Sequence, residues 1–284
     1  MKQILAISTL AYLGYSFETV CEQISKIGCM YVEPCHIATY DSNITDSFFS
    51  EEQAQRYIRI MERFNLRCVA LAAHMDLGSK NAVESFSKRM EFAHAIGCSY
   101  IHSNPTTIQY EKQFFDNIKQ LSALAEKLGI IITLENPGDK SDSIMPDGET
   151  GVKIIAKINL PYVKMNYDPL NLYSFSLGKR KPEEDFLHSF GNFSHMHLKD
   201  MVLTNGGWEY TAIGQGVIDY KHILKKLLEL PEFPPLSIEL PLQFYRNENN
   251  VMTPLPPDKR PSLDDIKITL KKSIDFVEKI VLSN

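Results

Sequence analysis

Three short runs of this sequence end alike. Ile132-Thr133-Leu134-Glu135, Met165-Asn166-Tyr167-Asp168 and Leu236-Ser237-Ile238-Glu239 each place an acid directly after an apolar or β-branched stretch. A fourth run, His195-Met196-His197-Leu198-Lys199-Asp200, carries two imidazoles two residues apart, hence on one face of a strand. An ionised carboxylate at the end of a buried run is costly unless a cation faces it. Three acids and one imidazole, gathered in one place, would meet that need by holding a divalent metal ion. Oxygen ligands with a single imidazole suit Mn²⁺, Mg²⁺, Co²⁺ or Zn²⁺. Such an ion serves proton abstraction next to a carbonyl, because it stabilises the enediolate while a carboxylate takes the proton. Return of the proton from the opposite face gives epimerisation, and return to the neighbouring carbon gives isomerisation. Loss of a β-hydroxyl gives dehydration, and loss of carbon dioxide gives decarboxylation.

These residues converge only if the chain brings the ends of distant strands together. Short runs rich in β-branched and aromatic residues predict strands at Ile4–Thr9, Cys29–Glu33, Cys68–Ala73, Tyr100–Ser103, Ile130–Leu134, Tyr162–Tyr167, Ser194–Leu198 and Leu236–Leu240. Amphipathic stretches between them predict helices at Ser16–Lys26, Glu51–Asn65, Ala82–Ile96, Tyr110–Leu128, Glu149–Lys157, Glu183–Phe190, Tyr220–Leu230 and Leu263–Leu282. Strand and helix alternate without an evident hairpin signal, which implies a parallel sheet. The strand ends, from Ser8 to Glu239, recur roughly every 33 residues, the period of a (β/α)8 barrel. An open doubly wound sheet would more often carry a glycine-rich phosphate turn after its first strand, where this chain has Ser8-Thr9-Leu10-Ala11. Ile27-Gly28-Cys29-Met30-Tyr31-Val32 is echoed by Ile96-Gly97-Cys98-Ser99-Tyr100-Ile101, two βα units later. The reading is one α/β domain over residues 1–284, a TIM barrel with extended loops on its C-terminal face. Those loops are Asp139–Asp147, Met201–Gly207 and Pro254–Pro261. The mouth would also receive Glu33, His74 and Asn104, expected as substrate contacts, along with Lys199. Trp208 is the sole tryptophan; in a mouth loop it would stack on a sugar ring, or else pack under the loop. Gly214-Gln215-Gly216 reads as a tight turn needing positive φ, not a nucleotide loop. Arg246 and Lys259-Arg260 read as solvated charge.

Composition narrows the function classes. Of 284 residues, 44% are hydrophobic and 23% charged, which excludes a disordered chain, a fibre and a coiled coil. Thirty basic against 35 acidic residues leave a net charge of −5, unlike a nucleic-acid binder. No apolar run approaches the roughly 20 residues of a membrane span. The opening MKQILAISTL lacks the long apolar core and cleavage site of a secretory signal. Five cysteines, Cys21, Cys29, Cys35, Cys68 and Cys98, show no paired spacing, so free thiols in a reducing cytoplasm are expected.

The runs Leu134-Glu135-Asn136, Asn166-Tyr167-Asp168-Pro169-Leu170-Asn171, His195-Met196-His197-Leu198-Lys199-Asp200, Ile213-Gly214-Gln215-Gly216-Val217-Ile218-Asp219-Tyr220 and Ile238-Glu239 together resemble the sugar phosphate isomerase/epimerase family, within the xylose isomerase-like TIM barrel superfamily. The resemblance covers essentially the whole chain. It implies metal ligands at Glu135, Asp168, His197 and Glu239, with Glu135 and Glu239 also serving as acid and base. It implies one divalent metal ion, a small sugar or sugar-derived keto substrate, and isomerase or epimerase activity. Ketose 3-epimerases usually carry a histidine three residues after the aspartate and an arginine after the histidine strand; here stand Asn171 and Lys199-Asp200. A dehydratase or decarboxylase on the same site is the alternative expectation. An endonuclease IV-type phosphodiesterase would need more metal ligands and a basic groove, and a sugar-binding barrel would not need three buried acids. A homo-oligomer is compatible with the sequence.

Overall fold

A computed structural model of the protein describes residues 3–282; Met1, Lys2, Ser283 and Asn284 of the expected domain lie outside the described residues. The first half runs β1 (Leu5–Ser8), α1 (Phe17–Ile27), β2 (Tyr31–Glu33), α2 (Glu51–Arg63), β3 (Arg67–Cys68), β4 (Ala70–Asp76), α3 (Ala82–Ala95), β5 (Tyr100–Asn104) and α4 (Glu111–Leu128). It continues with β6 (Ile131–Glu135), α5 (Gly148–Ile158), β7 (Val163–Tyr167), α6 (Pro169–Phe175), α7 (Pro182–Ser189) and β8 (Phe193–Leu198). Then follow β9 (Asp200–Thr204), β10 (Gly207–Thr211), α8 (Tyr220–Leu227), β11 (Leu236–Ile238), β12 (Phe244–Arg246), β13 (Met252–Pro254) and α9 (Leu263–Val281).

The main sheet has the order β3-β2-β1-β11-β8-β7-β6-β5-β4, with every pairing parallel. Its two ends, β3 and β4, are consecutive pieces of one strand, so the sheet closes on itself. The seam is held by the His36 N–H on the Ala72 carbonyl at 2.7 Å and the Ala72 N–H on the Pro34 carbonyl at 2.9 Å. This is the TIM barrel the alternation predicts. All eight strand positions appear, and β4 runs past the expected Ala73 to Asp76, which puts His74 inside a strand.

The strands alternate strictly. Ile7, Val32, Leu71, Ile101, Ile132, Leu134, Met165, Met196 and Ile238 belong to one hydrophobic core with the helices. Their neighbours Glu33, His102, Thr133, Asn166, His197 and Ser237 are buried and polar. Glu33 on β2 meets His102 on β5 and His197 on β8, strands that are not neighbours in the sheet, so these contacts cross the barrel interior. Apolar side chains thus face the helices and polar ones fill the barrel. That parity turns every second residue of a strand into the barrel.

Two features depart from the sequence reading. The Met201–Gly207 excursion is not a simple loop, and the segment before Pro254–Pro261 also forms strands. β9 and β10 form an antiparallel hairpin, and β12 and β13 extend it into a four-stranded sheet, β13-β12-β10-β9. Asn205-Gly206 at the hairpin tip is a turn signal that the expectation of no hairpins overlooked. A short extra helix, α6, follows Asp168, whose side chain caps it through the Asn171 N–H while Pro169 begins its first turn. The echoed Ile-Gly-Cys segments do the same job, since Gly28 and Gly97 turn from helix into strand with φ of +88° and +85°.

On the loop after β2, His36 packs against the rings of Phe48 and Tyr57, with centroids 4.7 and 5.5 Å away. Burial pushes its imidazole down to about 4, below the ordinary 6.5. A depressed folded-state value means the contribution is complete above pH 6.5 and lost as pH falls toward 4. His36→Gln removes this loss. The stability of the wild type relative to the variant is expected to fall by about 3 kcal/mol between pH 7 and pH 4. Urea unfolding of both proteins across that range checks it.

Candidate metal centre and active site

Glu135 ends β6, Asp168 follows β7, His197 lies in β8 and Glu239 follows β11. One ligand atom from each lies within 4.8 Å of all the others, and all four residues are buried. Local structure aims each of them. Asp168 spends Oδ1 on the cap of α6, which leaves Oδ2 for the cluster. Asn136 clamps the end of β7, donating to the Asp168 carbonyl and accepting from the Asp168 N–H, both at 2.9 Å. Asn171 Nδ2 donates to Glu135 Oε1 at 2.8 Å, and Asn166 Nδ2 donates to Glu135 Oε2 at 2.9 Å.

A fifth group sits inside the cluster. Lys199 Nζ lies 2.7 Å from Asp168 Oδ2, 2.5 Å from Glu239 Oε2 and 3.4 Å from Glu135 Oε1. Its backbone is pinned by Tyr220, whose hydroxyl accepts from the Lys199 N–H and donates to the Lys199 carbonyl. Burial alone would lower the ammonium, but Asp168, Glu239 and Glu135 hold it well above the ordinary lysine range. Burial would likewise lower His197, and Glu135, Glu239 and Glu33 outweigh it and hold the imidazole well above its usual value. Burial would raise Glu135, yet His197 and Lys199 hold it well below the carboxylate range. Burial does win at Asp168, which is pushed up to about 6 against the pull of Lys199.

The donor set fits a divalent ion. Three carboxylates and an imidazole converge, and Glu239 Oε1 is buried with no hydrogen-bond partner among the described residues. A buried acceptor left in that state is costly without a cation to face.

Beneath the cluster lies a polar layer. Glu33, fully buried, accepts from His197 Nε2 at 3.1 Å and from His102 Nε2 at 3.2 Å, with His195 Nε2 3.7 Å away. Its carboxylate is held well below the usual range: burial raises it, and His197 and His102 outweigh that. Expected as a substrate contact, Glu33 has its oxygens turned to imidazoles inside the barrel. His195 donates through Nδ1 to Asn166 Oδ1 at 3.0 Å and accepts from the Ser237 hydroxyl at 3.1 Å, so it is a supporting group. A carboxylate on the far nitrogen of a histidine fixes its tautomer and turns the other nitrogen to the ligand side. Glu33→Gln is therefore expected to weaken metal affinity about 10- to 100-fold. His197→Ala is expected to cost more affinity than His195→Ala. Calorimetric Mn²⁺ titration of the three variants checks both.

His74 and Asn104, on neighbouring strands, pair with each other at 3.1 Å, and His74 Nε2 stands 3.5 Å from Glu135 Oε2. Trp208 packs edge-on against Tyr173, with ring centroids 5.5 Å apart, which is the packing alternative rather than a contact with the cluster. Asp200 does not pair with Lys199; its carboxylate accepts the N–H groups of Met201, Gly214, Gly216 and Ile218. This explains the Gly-Gln-Gly turn. Gly214 has φ of +83°, and a Cβ on Gly216 would stand 2.1 Å from Asp200 Oδ1. Arg246 is buried, with Nε on the Tyr210 hydroxyl, so it is no solvated charge. His102, Asn136 and Asn166 escaped the sequence reading, although strand parity marks His102 and Asn166 as interior.

The model of the xylose isomerase-like TIM barrel family matches residues 21–254. The chain belongs to that family. No curated protein matches the chain. Among solved structures, D-psicose 3-epimerase from Clostridium cellulolyticum H10, determined with D-tagatose, is similar, with a TM-score of 0.75 at 12% identity over 98% of this chain and 99% of that one. The IOLI protein with a bound zinc atom is similar, with a TM-score of 0.73 at 19% identity, again over 98% and 99%. So is a probable 3-DHS dehydratase, AsbF of Bacillus anthracis, with a TM-score of 0.68 at 13% identity over 96% and 99%. At these identities the likeness is one of fold. Among the described residues no helix is long and apolar enough to cross a membrane.

Proposed function

We propose that this family member is a divalent-metal-dependent isomerase or epimerase acting on a ketose, a sugar derivative or a related keto acid. The observation that carries the reading is the buried set Glu135, Asp168, His197 and Glu239 at the barrel mouth, with Glu239 Oε1 unpartnered. The epimerase neighbour and the zinc-bearing IOLI neighbour, both of the same fold, support it. Bound by these four residues, a divalent ion supplies Lewis acidity at a substrate carbonyl or hydroxyl oxygen.

The remaining work falls to side chains. Glu135 and Glu239, both within 3.4 Å of the Lys199 ammonium, are the acid–base pair: one takes the proton next to the carbonyl and the other returns it. Asn166 and Asn171 hold both Glu135 oxygens and so fix the direction from which that carboxylate meets carbon. His74 and Asn104 stand beside Glu135 as donors for substrate hydroxyls. Lys199 balances the charge of three carboxylates and places an ammonium where an oxyanion develops.

The same lysine favours a second reading. An ammonium 2.5 Å from Glu239 can protonate a departing hydroxyl, which would make the enzyme a dehydratase. Metal titration of chelator-treated protein is expected to find one tight site per chain. Incubation with ketoses in D₂O, followed by NMR, is expected to show deuterium entering at one carbon next to the carbonyl. Product bearing one oxygen fewer would select the dehydratase. Several tight metals would favour a nuclease-like cluster, and no metal would end the enzyme reading.

A further inference from the structure

Beside the metal cluster, over the C-terminal ends of β1, β2 and β11, lies a cavity of about 650 Å³. That volume lies in the range of sites for drug-sized ligands. Its walls are aromatic. Phe17 and Tyr57 stack face to face with centroids 3.7 Å apart, and Tyr40 and Phe244 form a tilted pair at 5.5 Å. Two wall residues carry buried polar atoms without a hydrogen-bond partner in the protein, the Tyr12 hydroxyl and His36 Nε2. Burial keeps the His36 imidazole neutral, so it offers a hydrogen bond and not a charge. Among the lining residues Arg260 and Asp41 are the charged groups, one of each sign, which is not the cationic cluster a phosphate recruits.

The cavity lies over strand ends that carry the cluster: Cys35 lines it two residues beyond Glu33, and Gln243 lines it four residues beyond Glu239.

We propose that the cavity holds an aromatic group bearing a hydroxyl or carbonyl, joined to the sugar-like part that the metal cluster receives. A free monosaccharide offers these rings only its C–H faces and has no aromatic ring to meet them. An alkyl chain would leave both orphaned atoms unpaired. An aryl group meets the walls in stacked or edge-on geometry, and its polar substituent pairs with Tyr12 or His36. The inference rests on the proposed function for the sugar-like part, and the aryl preference is measured separately from the metal.

Calorimetry with the full chain tests it, using 4-hydroxyphenyl, phenyl, n-hexyl and methyl β-D-glucopyranosides, on Mn²⁺-loaded and on chelator-treated protein. The hydroxyphenyl glycoside is expected to bind at least about tenfold more tightly than the methyl glycoside. Tyr12→Phe is expected to cost the hydroxyphenyl glycoside about fivefold and to leave the phenyl glycoside unchanged. Phe244→Leu is expected to lower both aryl affinities by about threefold or more. Equal binding of the aryl and methyl glycosides, tighter binding of the hexyl glycoside, or no binding of the aryl glycosides overturns the proposal. An aryl preference in protein that takes up no metal overturns the proposed function alone. One tight metal without an aryl preference overturns this inference alone.

Discussion

Glu239→Gln is expected to cut turnover by about a thousandfold while the barrel still folds. The substitution keeps shape and removes one negative charge and one basic oxygen. Glu239 is a proposed metal ligand and half of the proposed acid–base pair, so both functions fail together. A carboxamide neither takes a proton at neutral pH nor matches a carboxylate toward a divalent ion. Metal affinity is expected to fall by at least about tenfold, which corresponds to about 1.4 kcal/mol. Folding is spared because Glu239 lies just beyond β11 and its backbone N–H remains on the Leu198 carbonyl at 3.0 Å. Steady-state kinetics, Mn²⁺ calorimetry and a thermal melt of one preparation check the three statements. Undiminished turnover would remove Glu239 from the chemistry.

Lys199→Met is expected to separate stability from metal affinity. Without metal, the Lys199 ammonium lies within 3.4 Å of all three cluster carboxylates. Removing one partner of such a buried set leaves uncompensated charge, at a cost of about 3–5 kcal/mol. The chelated variant therefore melts well below the chelated wild type. A divalent ion no longer competes with the ammonium, so Mn²⁺ is expected to bind at least about tenfold more tightly, and saturating Mn²⁺ restores most of the lost stability. Turnover falls, because the group facing the developing oxyanion is gone. Melting curves with chelator and with Mn²⁺, together with calorimetry, check the pattern. Weaker metal binding in the variant would show that Lys199 supports the ion instead of displacing it.

The lysine also shows where sequence reasoning stops. Parity placed His195, His197 and Lys199 on one face of β8 and its extension, and the acids of Glu135, Asp168 and Glu239 at their strand ends. Whether Lys199 met Asp200 or the cluster was open. Asp200 proved to be satisfied by the Met201 N–H and by three backbone N–H groups from the turn at 213–218, partners contributed largely by a distant segment. The surroundings of Glu33 and Trp208 were not legible for a related reason. Parity says that Glu33 points into the barrel, but not whether it rises to the mouth or lies a layer below. That height depends on the stagger of the strands around the closed sheet. Trp208 depends on a strand whose partner on β12, Arg246, lies thirty-eight residues farther along the chain.

By itself the sequence determined the alternation of strand and helix, the closed barrel, and which acids and imidazoles end on the strands. Those follow from local periodicity, which each segment carries within a few residues. The tertiary structure alone decided how closely these groups converge, which layer each occupies, and what encloses the aromatic cavity. These are properties of register between strands distant in the chain, and one step of register flips a side chain from the barrel interior to the side that faces the helices.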